Sequence, residues 1–324
     1  MRDPRLLKEV GDLTPRGVEG WYKQKMTRFP FDQFAKDYLE ELLQPLGTVQ
    51  VPRRVAGEVR EIDVWFAPDT SPNTAEASKL GLLGRLAATP SLFEPFRNAA
   101  SATEICNCLL KLLEIRGEYE REANRNQQRL EENHLPRLWI LSPTASESII
   151  EGFAAVSDQQ NWVNGVYFLP RYLRTAIVAI HQLPKTRDTL WLRILGKGRV
   201  QQQAIDELES LPKNEALRLR ALELLYSLKT TLEVSQNIDE EDRDLIMRLS
   251  PLYTQRLEEA TRQGLQQGQR EVVENLLRSR FGSLDEQLLA IIEPLLLLPT
   301  EEFTPLLLQL SREELLARFG SQSN

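Results

Sequence analysis

The stretch Glu58-Val-Arg-Glu-Ile-Asp-Val-Trp-Phe66 decides how the rest of the chain is read. Its β-branched and aromatic residues alternate with polar ones, which is the pattern of a strand. Period-2 alternation puts Ile62, Val64 and Phe66 on one face, and Val59, Glu61, Asp63 and Trp65 on the other. Asp63 is a lone carboxylate between two aliphatic residues. An aspartate at such a position is costly unless it is exposed, paired or bound to metal. A simply solvated face accounts for it equally well, so the neighbouring elements must decide.

Upstream, Phe34, Tyr38, Leu39 and Leu42 recur at helical spacing over Asp32–Leu43, and Pro45 and Gly47 end that helix. Thr48–Val55 reads as a strand that Pro52 marks as an edge or bulged one. A turn at Ala56-Gly57 would join it to the Asp63 strand as an antiparallel hairpin. Downstream, Ser91-Leu-Phe-Glu-Pro-Phe-Arg97 is expected to be a short third strand. Thr103–Arg129 reads as a long helix, apolar at Ile105, Leu109, Leu112 and Leu113 and then heavily charged, the charged half being a solvated surface. Arg137–Leu141, Gly165–Leu169 and Thr175–Ile180 complete the expected strands. Beyond Pro184 the pattern is helical: Thr189–Leu195, Val200–Leu211, Ala216–Glu233, and a long helix opened by Pro251 and running to Arg280. Ser283-x-x-Glu286 and Ser311-x-x-Glu314 have the form of capping boxes before a last apolar helical segment.

The reading divides the chain into a tail over 1–25, an α/β domain over 26–184, a helical segment over 185–250, a helical linker over 251–270 and a small helical domain over 271–324. Met26 opens the first patterned segment and is the expected natural start. The net charge of −7 argues against nonspecific coating of nucleic acid, although it allows a local basic site. Such a site is expected where Lys185, Arg187, Arg193, Lys197 and Arg199 gather around Trp191, with an ordinary charged helical surface as the alternative. Cys106 and Cys108 lie two apart on a helix and imply neither a disulfide nor a zinc site. His134 and His181 lack ligand-spaced partners. No signal-peptide pattern opens the sequence, and the apolar run Leu288–Leu298 is too short and interrupted to span a bilayer, so the chain is expected to be cytoplasmic.

The order helix, strand, Asp-bearing strand, third strand, helix, strand over residues 31–141 resembles the core of the PD-(D/E)XK nuclease superfamily. It is most similar to the branch of recombination-promoting nucleases and transposase-like proteins. That family carries a carboxylate on its first helix, an Asp on its second strand, and an acidic-x-Lys or acidic-x-Gln motif on its third. Phe34-Ala-Lys36-Asp37-Tyr-Leu39 is similar to the family's Phe-Lys-Glu-Leu-Leu, with one extra residue and Asp in place of Glu. Glu61-Ile-Asp63-Val-Trp is similar to its second-strand motif. Val272–Phe281 onward resembles a small helical domain of unknown function that often follows such cores.

The resemblance implies a restriction-endonuclease-like α/β fold, a mixed sheet flanked by helices, followed by an all-α region and a small C-terminal helical domain. It implies a metal-dependent DNA endonuclease, with Mg²⁺ or Mn²⁺ held by Asp63 and Glu94, and with Asp37 as the first-helix carboxylate. Hydrolysis of a phosphodiester suits a hard cation on carboxylates, with a Lys or Gln nearby to position water. The sequence departs from the family at Phe96, where Lys or Gln would stand, and at Pro95, a poor residue for a central strand. Arg97 is the candidate replacement, although strand periodicity turns it to the opposite face. A catalytically silent relative that binds or scaffolds is therefore the alternative. Leu257, Gly264 and Gly268 form a stripe along the Pro251–Arg280 helix that two copies can share, so a homodimer is expected.

Overall fold

The computed structural model describes residues 29–55, 60–70, 73–130, 132, 135–235 and 238–320. The tail over 1–25, Met26, the Ala56-Gly57 turn and His134 lie outside the described residues. The chain divides into two compact units, residues 1–249 and 250–324.

The first unit is built on a seven-stranded mixed sheet. Helix α1 (Phe29–Leu43) comes first and buries Phe34, Tyr38, Leu39 and Leu42, the residues its periodicity picks out. Then come β1 (Gly47–Gln50), β2 (Arg53–Val55), β3 (Arg60–Ile62) and β4 (Val64–Pro68). These four make one antiparallel ribbon that is broken twice. β1 pairs with β4 inside the large sheet, while β2 and β3 pair with each other as a separate two-stranded piece. The breaks fall at Val51-Pro52 on one arm and at Asp63 on the other. Proline cannot donate to a ladder, so its arm leaves the sheet there. The expected continuous strand through Asp63 is thus two strands meeting at a bend. Across that bend the side-chain alternation fails: Ile62 and Trp65 join the same buried cluster instead of facing apart.

After α2 (Thr74–Lys79) and α3 (Leu82–Leu86), the third strand β5 (Ser91–Pro95) enters the middle of the sheet. It runs antiparallel to β4 and parallel to β6 (Arg137–Ser142). Pro95 is tolerated because it is the last residue of the strand, and the ladder continues with Phe96 N–H donating to the Leu141 carbonyl at 2.8 Å. Helix α4 (Ala102–Arg125) connects β5 to β6 and opens with a capping box between Ser101 and Glu104. Helix α5 (Glu147–Gly152) and β7 (Val156–Ser157) follow. β8 (Val166–Phe168) and β9 (Thr175–Ala179) then complete the order β1-β4-β5-β6-β9-β8-β7. The register Trp65–Leu92–Leu138 and Glu94–Ile140–Ile177 puts these side chains on one face. There they pack against Ile105, Cys108, Leu112 and Ile115 of α4.

The helical stretch after Pro184 is not a separate body. Helices α6 (Leu190–Arg193), α7 (Arg199–Ser210) and α8 (Ala216–Val234) belong to the first unit. Helix α8 packs on α1, the buried Tyr38 hydroxyl donates to the Trp191 carbonyl at 3.0 Å, and Trp191 Nε1 donates to the Lys79 carbonyl at 2.9 Å. Burial of Trp191 explains why this stretch is held to the core.

Helix α9 (Glu240–Phe281) starts eleven residues before Pro251, which lies inside it. A proline interior to a helix removes one backbone hydrogen bond, and here the helix continues past it. It ends at Gly282, whose φ of +87° turns the chain through the left-handed region that glycine adopts freely. The second unit contains the rest of α9 together with α10 (Glu286–Ala290), α11 (Ile292–Leu296), α12 (Thr300–Gln309) and α13 (Arg312–Phe319). Its core is Val273, Leu277, Leu288, Ile291, Ile292, Leu295, Phe303, Leu307 and Leu315. Ser311 and Glu314 form the expected capping box, but Ser283 does not cap α10. Asp285 does so, accepting from Leu288 N–H at 2.9 Å, because α10 begins later than the Ser-x-x-Glu spacing requires. Among the described residues no helix is long and apolar enough to cross a membrane.

Candidate functional site

Two of the expected residues come together. Asp63 sits at the bend between β3 and β4, and Glu94 projects from β5 on the α4 face. Glu94 is buried to 1% exposure, a costly environment for a carboxylate in the absence of partners. Its Oε2 accepts from Lys111 Nζ of α4 at 2.7 Å and lies 3.8 Å from the Cys108 thiol. Its Oε1 is buried and receives no donor among the described residues, and the protonated carboxyl can donate to Asp63. Burial first, and the negative charge of Asp63 second, push the Glu94 pKa up to about 8 against the opposing pull of Lys111. Glu94 therefore holds a proton through most of the neutral range. Burial and the Glu94 charge also raise the Cys108 thiol, so that it stays protonated and inert.

Asp63 is held from the other side by α1, with Lys36 Nζ 3.0 Å from its Oδ1. The same ammonium contacts Asp32, one turn earlier, at 2.8 Å. Burial works against the Lys36 charge, but Asp63 and Asp32 outweigh it and hold its pKa above the ordinary lysine value. Lys111 is balanced in the same way: burial opposes its charge, and Glu94 and then Asp63 restore it. Asp32 is raised by burial, with Lys36 opposing and the Asp63 charge adding to the rise. The result is a cluster of three carboxylates and two ammonium groups, in which Lys36 and Lys111 flank the Asp63–Glu94 pair.

The other expected residues lie elsewhere. Asp37 accepts from Gln33 at 2.6 Å on the surface of α1. It sits about 100° round the helix from Lys36, so it cannot share the inward side. Asp32, not Asp37, is the first-helix carboxylate near Asp63. Arg97 is also outside the cluster: its Nη2 lies 2.5 Å from Asp242 at the start of α9, and its guanidinium stacks over the Phe31 ring at 3.4 Å. Arg97 lies in a bend beyond the end of β5, so strand periodicity does not decide its direction.

The expected basic patch is largely neutralised within the fold. Arg193 is 1% exposed, donates to both oxygens of Glu207 at 2.8 and 2.5 Å, and bonds Thr189 and the Thr186 carbonyl. Arg187 pairs with Glu215. Lys197 pairs with Asp239 at 2.6 Å and Glu241 at 3.0 Å. Lys185 and Arg199 remain exposed. Arg193 is turned inward to Glu207, Thr189 and the Thr186 carbonyl, so five basic residues close in sequence do not make one surface.

Lys111 and Lys36 are the functional candidates that motif reading missed. Each had a signal. Lys111 is a single cation in the buried stripe Ile105–Cys108–Leu112–Ile115, and such a residue needs an acid facing it. Lys36 follows Asp32 at i+4 near the start of a helix.

Among the described residues no group of three or more His, Cys, Asp and Glu side chains is arranged to hold a metal ion. Two carboxylates are enough for a cation that keeps most of its waters, as Mg²⁺ does. Glu94 Oε1, which receives no donor among the described residues and lies beside Asp63, fits that requirement once Glu94 is ionised. No protein family, curated protein or solved structure matches the chain.

Proposed function

We propose that this chain is a metal-dependent endonuclease that hydrolyses phosphodiesters of DNA at the Asp63–Glu94 pair. The observation that carries the reading is a buried carboxyl group set against a second carboxylate, with a lysine on each. Asp63 and Glu94 would hold Mg²⁺ or Mn²⁺. Such an ion, when bound, makes a water more acidic and draws charge from the scissile phosphate. Glu94 must release its proton to serve as a ligand, and Lys111 at 2.7 Å favours that release. Lys111 takes the part left open by Phe96, supplying from a helix the ammonium that the third strand lacks. Lys36 would meet the second side of the phosphate.

A catalytically silent binding protein is the second reading. What favours it is that Lys36 and Lys111 already occupy Asp63 and Glu94. Incubation of the purified chain with supercoiled DNA separates the two. Nicking that requires Mg²⁺ or Mn²⁺ and disappears in Asp63→Ala supports the enzyme. Equal nicking by Asp63→Ala refutes the site, and an absence of nicking with either metal favours the silent relative.

We also propose a homodimer assembled through the middle of α9, where Leu257 and Leu265 are exposed and Gly264 and Gly268 have open space around them. Light scattering should give a dimer for the full chain and a monomer for Leu257→Glu/Leu265→Glu. A monomeric wild type at tens of micromolar, roughly the range of weak association, refutes this assembly.

A further inference from the structure

At the opposite end of the parallel strands from Glu94 lies a second polar site that the nuclease reading does not use. Arg137 begins β6, and Arg171 and Arg174 lie in the turn between β8 and β9. With Glu132, Phe168 and Thr175 they line a cavity of about 300 Å³. In register, Arg137 pairs with Ser91, three residues before Glu94, so the cavity lies about 10 Å along the ladder from the carboxylate pair.

Among the described residues three guanidinium groups meet one carboxylate here. Arg137 is held by rings: its guanidinium is 5.4 Å from the Trp139 centroid and 5.6 Å from that of Phe168. Arg174 adopts a left-handed backbone, φ +45°, and anchors by donating to the Leu135 and Pro136 carbonyls at 2.7 and 3.2 Å. Arg171 reaches Glu132 at 2.9 Å from an exposed position. Burial and the neighbouring Arg174 charge both lower the pKa of Arg137, the sign of like charges held together. A site with excess guanidinium, fixed by aromatic faces and backbone carbonyls, is complementary to a group with several anionic oxygens.

We propose that this cavity binds a phosphate group, recognised by Arg137, Arg171 and Arg174. The phosphate belongs to a small free phosphorylated compound or to a nucleic-acid backbone. Glu132 occupies Arg171 when the site is empty of ligand, and the phosphate competes with it.

Calorimetric titration of the full chain with pyrophosphate tests this. Saturable binding that weakens with added salt is expected. Arg171→Gln, at an exposed position that does not threaten folding, should weaken binding about tenfold or more, as loss of a charged hydrogen bond does. Glu132→Gln should tighten it about three- to fivefold, the scale of an exposed ion pair, which no unfolded variant can mimic. Absence of saturable binding at millimolar pyrophosphate, roughly the weakest specific range, overturns the proposal. So does unchanged affinity in both Arg171→Gln and Glu132→Gln. Displacement of pyrophosphate by a single-stranded oligonucleotide supports the proposal with nucleic acid as the source, and binding undisturbed by it supports a small free phosphate.

Discussion

Replacement of Glu94 by glutamine should change how stability depends on pH. Glu94 is 1% exposed, and its folded pKa of about 8 lies above the ordinary 4.5. Between these values the folded chain binds more protons than the unfolded chain, so stability falls as pH rises. The contribution is fully present below pH 4.5 and is lost by pH 8. The slope is at most about 1.4 kcal/mol per pH unit for one proton. Lys111 at 2.7 Å opposes the rise and takes part of the effect, so about 2–3 kcal/mol across the window is a fair magnitude. Glutamine keeps the volume and cannot ionise, which should remove this slope. Urea melts followed by tryptophan fluorescence at pH 5, 6.5 and 8, with chelator present, measure it. Relative to wild type, Glu94→Gln should gain stability as pH rises. Parallel profiles, or a variant that loses ground toward pH 8, would refute the reasoning.

Three further changes probe other links in the argument. Lys111→Met should abolish metal-dependent nicking while far-UV circular dichroism stays native; cleavage at wild-type rate would remove Lys111 from the site. Tyr38→Phe deletes the buried bond to the Trp191 carbonyl and should cost about 1 kcal/mol in urea denaturation, whereas no change would mean that water replaces the hydroxyl. Ser311→Ala breaks the α13 capping box. It should cost about 1 kcal/mol in the melting of the second unit, and a loss seen in the first unit's transition would contradict the division of the chain at Leu249.

The strands were legible because their interior residues form short apolar runs bounded by turns, as in Arg137–Leu141 and Thr175–Ile180. The break at Asp63 was not, since alternation across Ile62–Phe66 looks the same whether the backbone bends or not. Glu94 was found from its position on the third strand, and Asp63 from its isolation among aliphatic residues. Lys111 carries no motif: its helix divides into an apolar and a charged half, and a cation inside the apolar stripe fits neither. Asp37 drew the first-helix assignment by motif spacing. Direction on the helix decides the matter, and it favours Asp32, which shares Lys36 with Asp63. The basic stretch over 185–199 misled for a related reason: charge density along a sequence says nothing about whether Arg193 faces Glu207 or solvent.

The claim that Asp63 and Glu94 form a cation site is tested most directly by Mn²⁺ affinity as a function of pH. Glu94 carries a proton below about pH 8, and a cation must displace it. The account predicts one saturable site, with affinity rising by up to about tenfold per pH unit toward pH 8 and levelling above it. It predicts that Glu94→Gln abolishes this rise. Affinity that is independent of pH, or Mn²⁺ binding that survives unchanged in Glu94→Gln, would contradict it.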